Sequence, residues 1–170
     1  MTSIRILVGS VNGGALLTAR TLKKELEGEG HHVTVLENPA LDDITSNNDA
    51  LLVCTSTTGQ GELPANLLPF YLDLRDQLPQ QPGRPFGIIV LGDSSYGDTF
   101  CGAGDLMEEA LYETAARKVG DTLRILDERF PLLDKVGVFS RFSAHEVVPR
   151  RQMTDERSGI DSGELFFADR

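Results

Sequence analysis

The sequence predicts an α/β domain: a five-stranded parallel sheet, doubly wound in the order 2-1-3-4-5, with helices on both faces. Three observations lead there. Short apolar runs alternate along the chain with segments of helical periodicity. The first, third and fourth of those runs are almost entirely apolar, as strands buried on both faces must be. The same three runs each end in a loop rich in glycine and hydroxyl residues.

The elements follow in order. Residues Ile4 to Val8 form an apolar run that Gly9 and Ser10 end, so they read as a buried strand. Leu16, Leu17, Leu22 and Leu26 then recur at helical spacing until Gly28 and Gly30 stop the helix. Val33 to Leu36 is a second strand and Ala50 to Cys54 a third. Residues 65 to 77 are expected to be helical with an interruption at Pro69. Phe86 to Leu91 is a fourth strand, ended by Gly92. Residues 104 to 118 read as a helix, with Leu106, Ala110, Leu111 and Ala115 on one stripe, and residues 121 to 126 as the fifth strand. A closing helix is expected over 131 to 145, using Leu132, Val136, Phe139 and Phe142, although Gly137, Ser140 and Ser143 weaken it. Residues 1 to 148 therefore read as one domain, and the polar stretch 149 to 170 as a mobile tail.

Length and composition narrow the function classes. At 170 residues, with 40% hydrophobic and 25% charged residues, the chain suits one domain with a substantial core. The net charge of −10 disfavours nucleic acid and anionic membranes as partners and suits a basic protein surface or simple solubility. Cys54 and Cys101 are the two cysteines, far apart and outside any CxxC spacing, so neither a disulfide framework nor a zinc site is implied. A reduced, cytoplasmic setting is expected. The opening apolar run is too short for a signal peptide, and no run approaches a membrane span. His31, His32 and His145 are scattered and do not suggest a ligand set.

In an open α/β sheet, ligands bind beyond the carboxyl ends of the strands where strand order reverses. Here that point lies between strands one and three. The loop Gly9-Ser10-Val11-Asn12-Gly13-Gly14-Ala15 leads into a helix amino terminus, whose free N–H groups attract a phosphate. Read blandly, it is a glycine turn with a helix cap. Ala15 stands where a P-loop requires lysine, and Val11 breaks the dinucleotide pattern GxGxxG. In the second loop, Thr55-Ser56-Thr57-Thr58-Gly59-Gln60-Gly61-Glu62-Leu63-Pro64, four hydroxyl residues and two glycines leave many backbone polar groups free to meet a heterocycle, or it is simply a polar loop before a helix. The third runs from Gly92 through Asp93, Tyr96, Asp98, Thr99 and Phe100 to Cys101 and Gly102. Tyr96 offers a flat face for a ring, whereas Phe100 reads better as pinning the loop to the core. No Lys or Arg occurs in residues 9 to 19 or 87 to 116. One phosphate held by backbone N–H groups fits that pattern; several phosphates do not.

The segments TSTTGQGELP and LGDSSYGDTFC, with GHHVTVLENPALDD and FGIIVLGDSSY, resemble the flavodoxin family. The likeness is greatest to small single-domain flavodoxins of the YqcA and MioC type and runs from about residue 4 to residue 127. It implies a flavodoxin-like fold and non-covalent FMN. It also implies one-electron transfer between a flavodoxin reductase and unknown acceptors by a monomer without catalysis of its own. Carried over, it puts the FMN phosphate on Ser10, Val11, Asn12, Gly13, Gly14 and Ala15. Thr55, Ser56, Thr57, Thr58, Gly59, Gln60 and Gly61 would flank one side of the flavin ring. Gly92, Asp93, Tyr96, Asp98, Thr99, Phe100 and Cys101 would line the other, with Tyr96 stacked. The chain departs from the family in several places. Thr58 stands where many members have an aromatic, and Ala15 where many have threonine. The third loop is one residue longer than in near relatives, and tryptophan is absent.

Two other functions compete. An FMN-dependent oxidoreductase such as a quinone reductase needs a substrate pocket, and no long insertion is present to build one. A flavin-free receiver-like interaction module needs aspartates at strand ends. Asp42 and Asp43 follow strand two, but strand three ends at Cys54-Thr55.

Overall fold

The structure is a computed structural model that describes residues 1–92 and 101–125. Its elements in order are β1 (Ser3–Gly9), α1 (Gly14–Gly28), β2 (His32–Leu36), α2 (Asp42–Thr45), β3 (Ala50–Ser56), α3 (Leu68–Gln77), β4 (Pro85–Leu91), α4 (Gly102–Glu113), β5 (Arg117–Lys118) and β6 (Leu123–Ile125). The strands form one parallel sheet in the order β2-β1-β3-β4-β5, with β6 also paired to β4. The fifth position of the sheet is thus shared. Arg117–Lys118 pairs with Pro85–Phe86, and Leu123–Ile125 pairs with Ile89–Leu91.

Side chains alternate across the sheet and build two cores. On one face Ile6, Val8, Leu52 and Cys54 pack with Ala19 and Leu22 of α1. On the other, Leu7, Val53 and Ile88 pack with Phe70 of α3 and Met107 and Leu111 of α4. Burial on both faces explains why β1, β3 and β4 are mostly apolar, with Arg5 of β1 paired to Asp49 at 2.9 Å. At the edge opposite the strands' carboxyl ends, buried Arg84 ties the turns together. Its guanidinium donates to the carbonyls of Asp49 (2.7 Å), Asn47 (3.0 Å) and Ile44, and to the side chains of Asn47 and Gln81. Burial lowers its pKa to about 10, against the charge of nearby Asp49, which works to raise it.

The sheet order is the expected one, but local boundaries differ. The helix expected over 104 to 118 ends at Glu113. Ala115 turns left-handed (φ 64°), and the Arg117 N–H then bonds the Arg84 carbonyl at 2.8 Å, so residues 117–118 join the sheet. Alanine's helix propensity yields there to strand pairing. Pro69 does not interrupt a helix; it sits in the first turn of α3, where its missing N–H costs nothing. The one-turn helix α2 has no counterpart in the sequence reading. The expected closing helix over 131 to 145 and the tail at 149 to 170 lie outside the described residues.

Candidate functional site

The carboxyl ends of β1, β3 and β4 lie side by side, because β3 pairs in parallel with both neighbours. The loops that follow them therefore meet at one edge. Backbone contacts fix how closely. A Cβ on Gly9 would lie 2.3 Å from Thr55 Oγ1 and 2.8 Å from Leu67 Cδ2, so only glycine lets the first loop leave β1 there. The Ser56 hydroxyl donates to the Gly9 carbonyl at 3.3 Å, and the Thr57 N–H to the Leu91 carbonyl at 2.9 Å.

In the first loop the Ser10 hydroxyl accepts the Gly13 N–H at 2.9 Å. Gly13 is left-handed (φ 87°) and precedes α1, and its carbonyl accepts the Leu17 N–H at 2.9 Å. No side chain caps α1, and its first turn holds no carboxylate. Among the described residues, the N–H groups of that turn therefore have no side-chain cap. Val11, Asn12 and Gly13 are exposed. The Ala15 methyl is buried in the core, so Ala15 can offer a ligand only its backbone. Behind it the Cys54 thiol donates to the Ala15 carbonyl at 3.3 Å, and complete burial pushes that thiol up to about 12.

The second loop is a tight hairpin. Thr58 and Glu62 exchange backbone hydrogen bonds of 2.9 and 2.7 Å around Gly59 (φ 51°), Gln60 and Gly61 (φ 97°). Gly59 and Gln60 are exposed at its tip. The Thr55 side chain is buried, and its hydroxyl is engaged with the Ser56 carbonyl at 3.0 Å. The Thr57 hydroxyl is different: it is buried and has no hydrogen-bond partner among the described residues. A buried hydroxyl left in that state is costly, so a ligand atom that bonded it would be favoured.

Of the third loop, Gly92 and Cys101 fall within the described residues; Asp93, Tyr96, Asp98, Thr99 and Phe100 do not. The Gly92 N–H bonds the Ile125 carbonyl at 3.0 Å. Cys101 is buried and left-handed (φ 61°) and precedes α4. Its thiol lies 4.0 Å from the Val90 carbonyl, turned into the protein. Burial raises its pKa, with Arg124 opposing. Cys101 can thus serve the loop through its backbone rather than its sulfur.

The described members of the predicted set come together at one edge. Asn66, outside the predicted loops, and Gly102, at the end of the third, help hold them there. Asn66 bonds the first loop, and Gly102 packs against Gly61 of the second loop. No group of three or more His, Cys, Asp or Glu residues able to hold a metal occurs among the described residues. No described helix is long and apolar enough to cross a membrane.

Comparisons with known proteins agree with this fold. The profile described as flavodoxin matches residues 6–133. The chain is 42% identical over 126 residues to Flavodoxin YqcA of Escherichia coli K12, covering 74% of this chain and 84% of that protein. It is 40% identical over 133 residues to Protein MioC of Escherichia coli O157:H7, covering 77% and 89%. A solved structure of a cysteine-to-alanine mutant of flavodoxin from Pseudomonas aeruginosa superposes with a TM-score of 0.75 at 41% identity. That match covers 83% of this chain and 98% of the other.

Proposed function

The chain belongs to the flavodoxin family of FMN-dependent electron carriers, and from that premise we propose how its own residues hold the cofactor and meet partners. The phosphate of FMN is received by the loop Ser10–Ala15. The N–H groups at the start of α1 face its charge, and the Asn12 side chain adds a donor. Residues Thr55–Gly61 flank one side of the flavin, with the Thr57 hydroxyl finding a partner there. Gly92, Asp93, Tyr96, Asp98, Thr99, Phe100 and Cys101 line the other side.

The observation that carries this assignment is the coincidence of two unsatisfied features at one sheet edge. Among the described residues, the α1 amino terminus has no side-chain cap, and the Thr57 hydroxyl is buried without a partner. One ligand with a phosphate at one end and hydrogen-bonding atoms further along satisfies both. When bound, FMN supplies one-electron redox chemistry. The protein's part is to bind it, orient it and surround it with acidic charge.

We infer further that the protein acts as a carrier and not as an enzyme, as a monomer in the cytoplasm, with a flavodoxin reductase as electron donor. The FMN-binding unit is residues 1 to 148, with 149 to 170 lying outside it. The net charge of −10 steers encounters toward basic partner surfaces. The visible absorption spectrum of the purified protein, with and without added FMN, tests the reading. A flavin spectrum perturbed from that of free FMN supports it. A folded protein that leaves the FMN spectrum unchanged refutes it.

A further inference from the structure

We propose that Asn66 is a positioning residue for phosphate recognition, holding the first loop in the form that a phosphate requires; the proposal rests on the FMN reading above. Asn66 lies in the turn between the second loop and α3, outside all three predicted loops. Its Oδ1 accepts the Ser10 N–H at 3.0 Å. Its Nδ2 donates to the Val8 carbonyl at 2.8 Å and to the Glu37 carbonyl at 2.6 Å. One amide thus joins the end of β1, the first residue after β2, and the first residue after β1.

The connection continues into the helix. Ser10, held by Asn66 through its N–H, accepts the Gly13 N–H on its hydroxyl at 2.9 Å. The Gly13 carbonyl accepts the Leu17 N–H at 2.9 Å. Asn66 therefore acts on the α1 amino terminus through Ser10 and Gly13. Its own position is firm, because Leu67 beside it is fully buried and packs where Gly9 has no side chain. The turn is closed by the Leu67 and Leu68 N–H groups on the Pro64 carbonyl, at 2.9 and 3.0 Å.

The chemistry of the position singles out an amide. It needs one acceptor and two donors in a plane, which asparagine has. Aspartate would keep the acceptor but set a charged oxygen against two carbonyls. Alanine would take the partner from the part-buried Ser10 N–H and Val8 carbonyl and leave the exposed Glu37 carbonyl to water. Charge does not substitute for this arrangement: no Lys or Arg lies between residues 9 and 19, and Arg20 is engaged with Glu37 at 3.0 Å. Phosphate recognition at this loop then depends on how its backbone is aimed.

The test compares FMN with riboflavin, which lacks the phosphate, by fluorescence titration of the apo-protein. Asn66→Ala is expected to weaken FMN binding by roughly tenfold to a hundredfold, while riboflavin affinity stays within about twofold of wild type. Asn66→Asp is expected to lose FMN affinity further, with the extra loss shrinking as salt is added, because the new charge repels the phosphate and salt screens it. If Asn66→Ala does not fold, Asn66→Asp carries the same comparison. Equal losses for both flavins, or no loss for either, would overturn the proposal. A wild-type protein that binds both flavins equally would instead remove the phosphate assignment itself, and the proposal with it.

Discussion

Gly102, the first residue of α4, lies so close to Gly61 of the second loop that a Cβ on it would sit 3.0 Å from the Gly61 Cα and 3.0 Å from its carbonyl oxygen. The start of one helix and the hairpin from a neighbouring strand are thus in backbone contact. Gly102→Ala would force the hairpin outward. The overpacking costs about 1–3 kcal/mol, and the gain in helix propensity offsets at most about 1 kcal/mol of it. The expected outcome is a modest fall in melting temperature and a clear loss of FMN affinity, read by thermal denaturation and flavin titration.

Gly13 makes a different demand. Its φ of 87° is left-handed, yet nothing lies within 4 Å of where a Cβ would be. Gly13→Val therefore meets strain rather than a clash, on the order of 1–2 kcal/mol. It should unseat the α1 amino terminus and weaken FMN more than riboflavin, while circular dichroism shows the sheet intact. Gly13→Asn should be milder, because asparagine tolerates that conformation. Equal effects of the two substitutions would show that backbone conformation at Gly13 does not matter to the site.

The strands were legible in the sequence because burial on both faces writes a run with no polar gaps, as in Phe86 to Leu91. The glycine and hydroxyl loops were legible for the opposite reason, since nothing apolar explains them. The end of α4 was not legible. Ala115 and Ala116 favour a helix locally, and only the pairing of residues 117–118 with β4 overrides them. Asn66 was invisible too. A single polar residue in a turn has no periodicity, and its role depends on the Val8, Ser10 and Glu37 backbone, distant in sequence. Gly102 was read as part of a loop, because its contact with Gly61 exists only after folding.

The Cys54 thiol carries a pH signature. Burial raises it from an ordinary value of 9.0 to about 12, so the folded protein keeps the proton that the unfolded chain releases above about pH 9. The stability this reflects is fully present below pH 9 and is lost as pH rises through 12. The slope from this group approaches about 1.4 kcal/mol per pH unit within that window. Denaturant titrations between pH 8 and 11 should show the decline. In Cys54→Ala, less stable overall for want of the sulfur, this part of the slope should be missing.

Glu62 closes the second hairpin and is exposed beside the proposed flavin site. Reduction adds negative charge to the bound ring, and a neighbouring carboxylate resists it. Glu62→Gln should raise the potential of the second one-electron step by roughly 10–40 mV, the range of an exposed charge interaction. The shift should shrink at high salt. Spectroelectrochemical titration reads it directly, and an unmoved potential at low salt would remove Glu62 from the electrostatics of the site.

The central claim is that the loops after β1, β3 and β4 hold one FMN by its phosphate and its ring. Titration of the apo-protein with FMN and with riboflavin, followed by flavin fluorescence, tests it most directly. The account predicts saturation at one FMN per chain and distinctly weaker binding of riboflavin, which cannot use the α1 amino terminus. Absence of saturable FMN binding by the folded protein, or equal affinity for the two flavins, would contradict it.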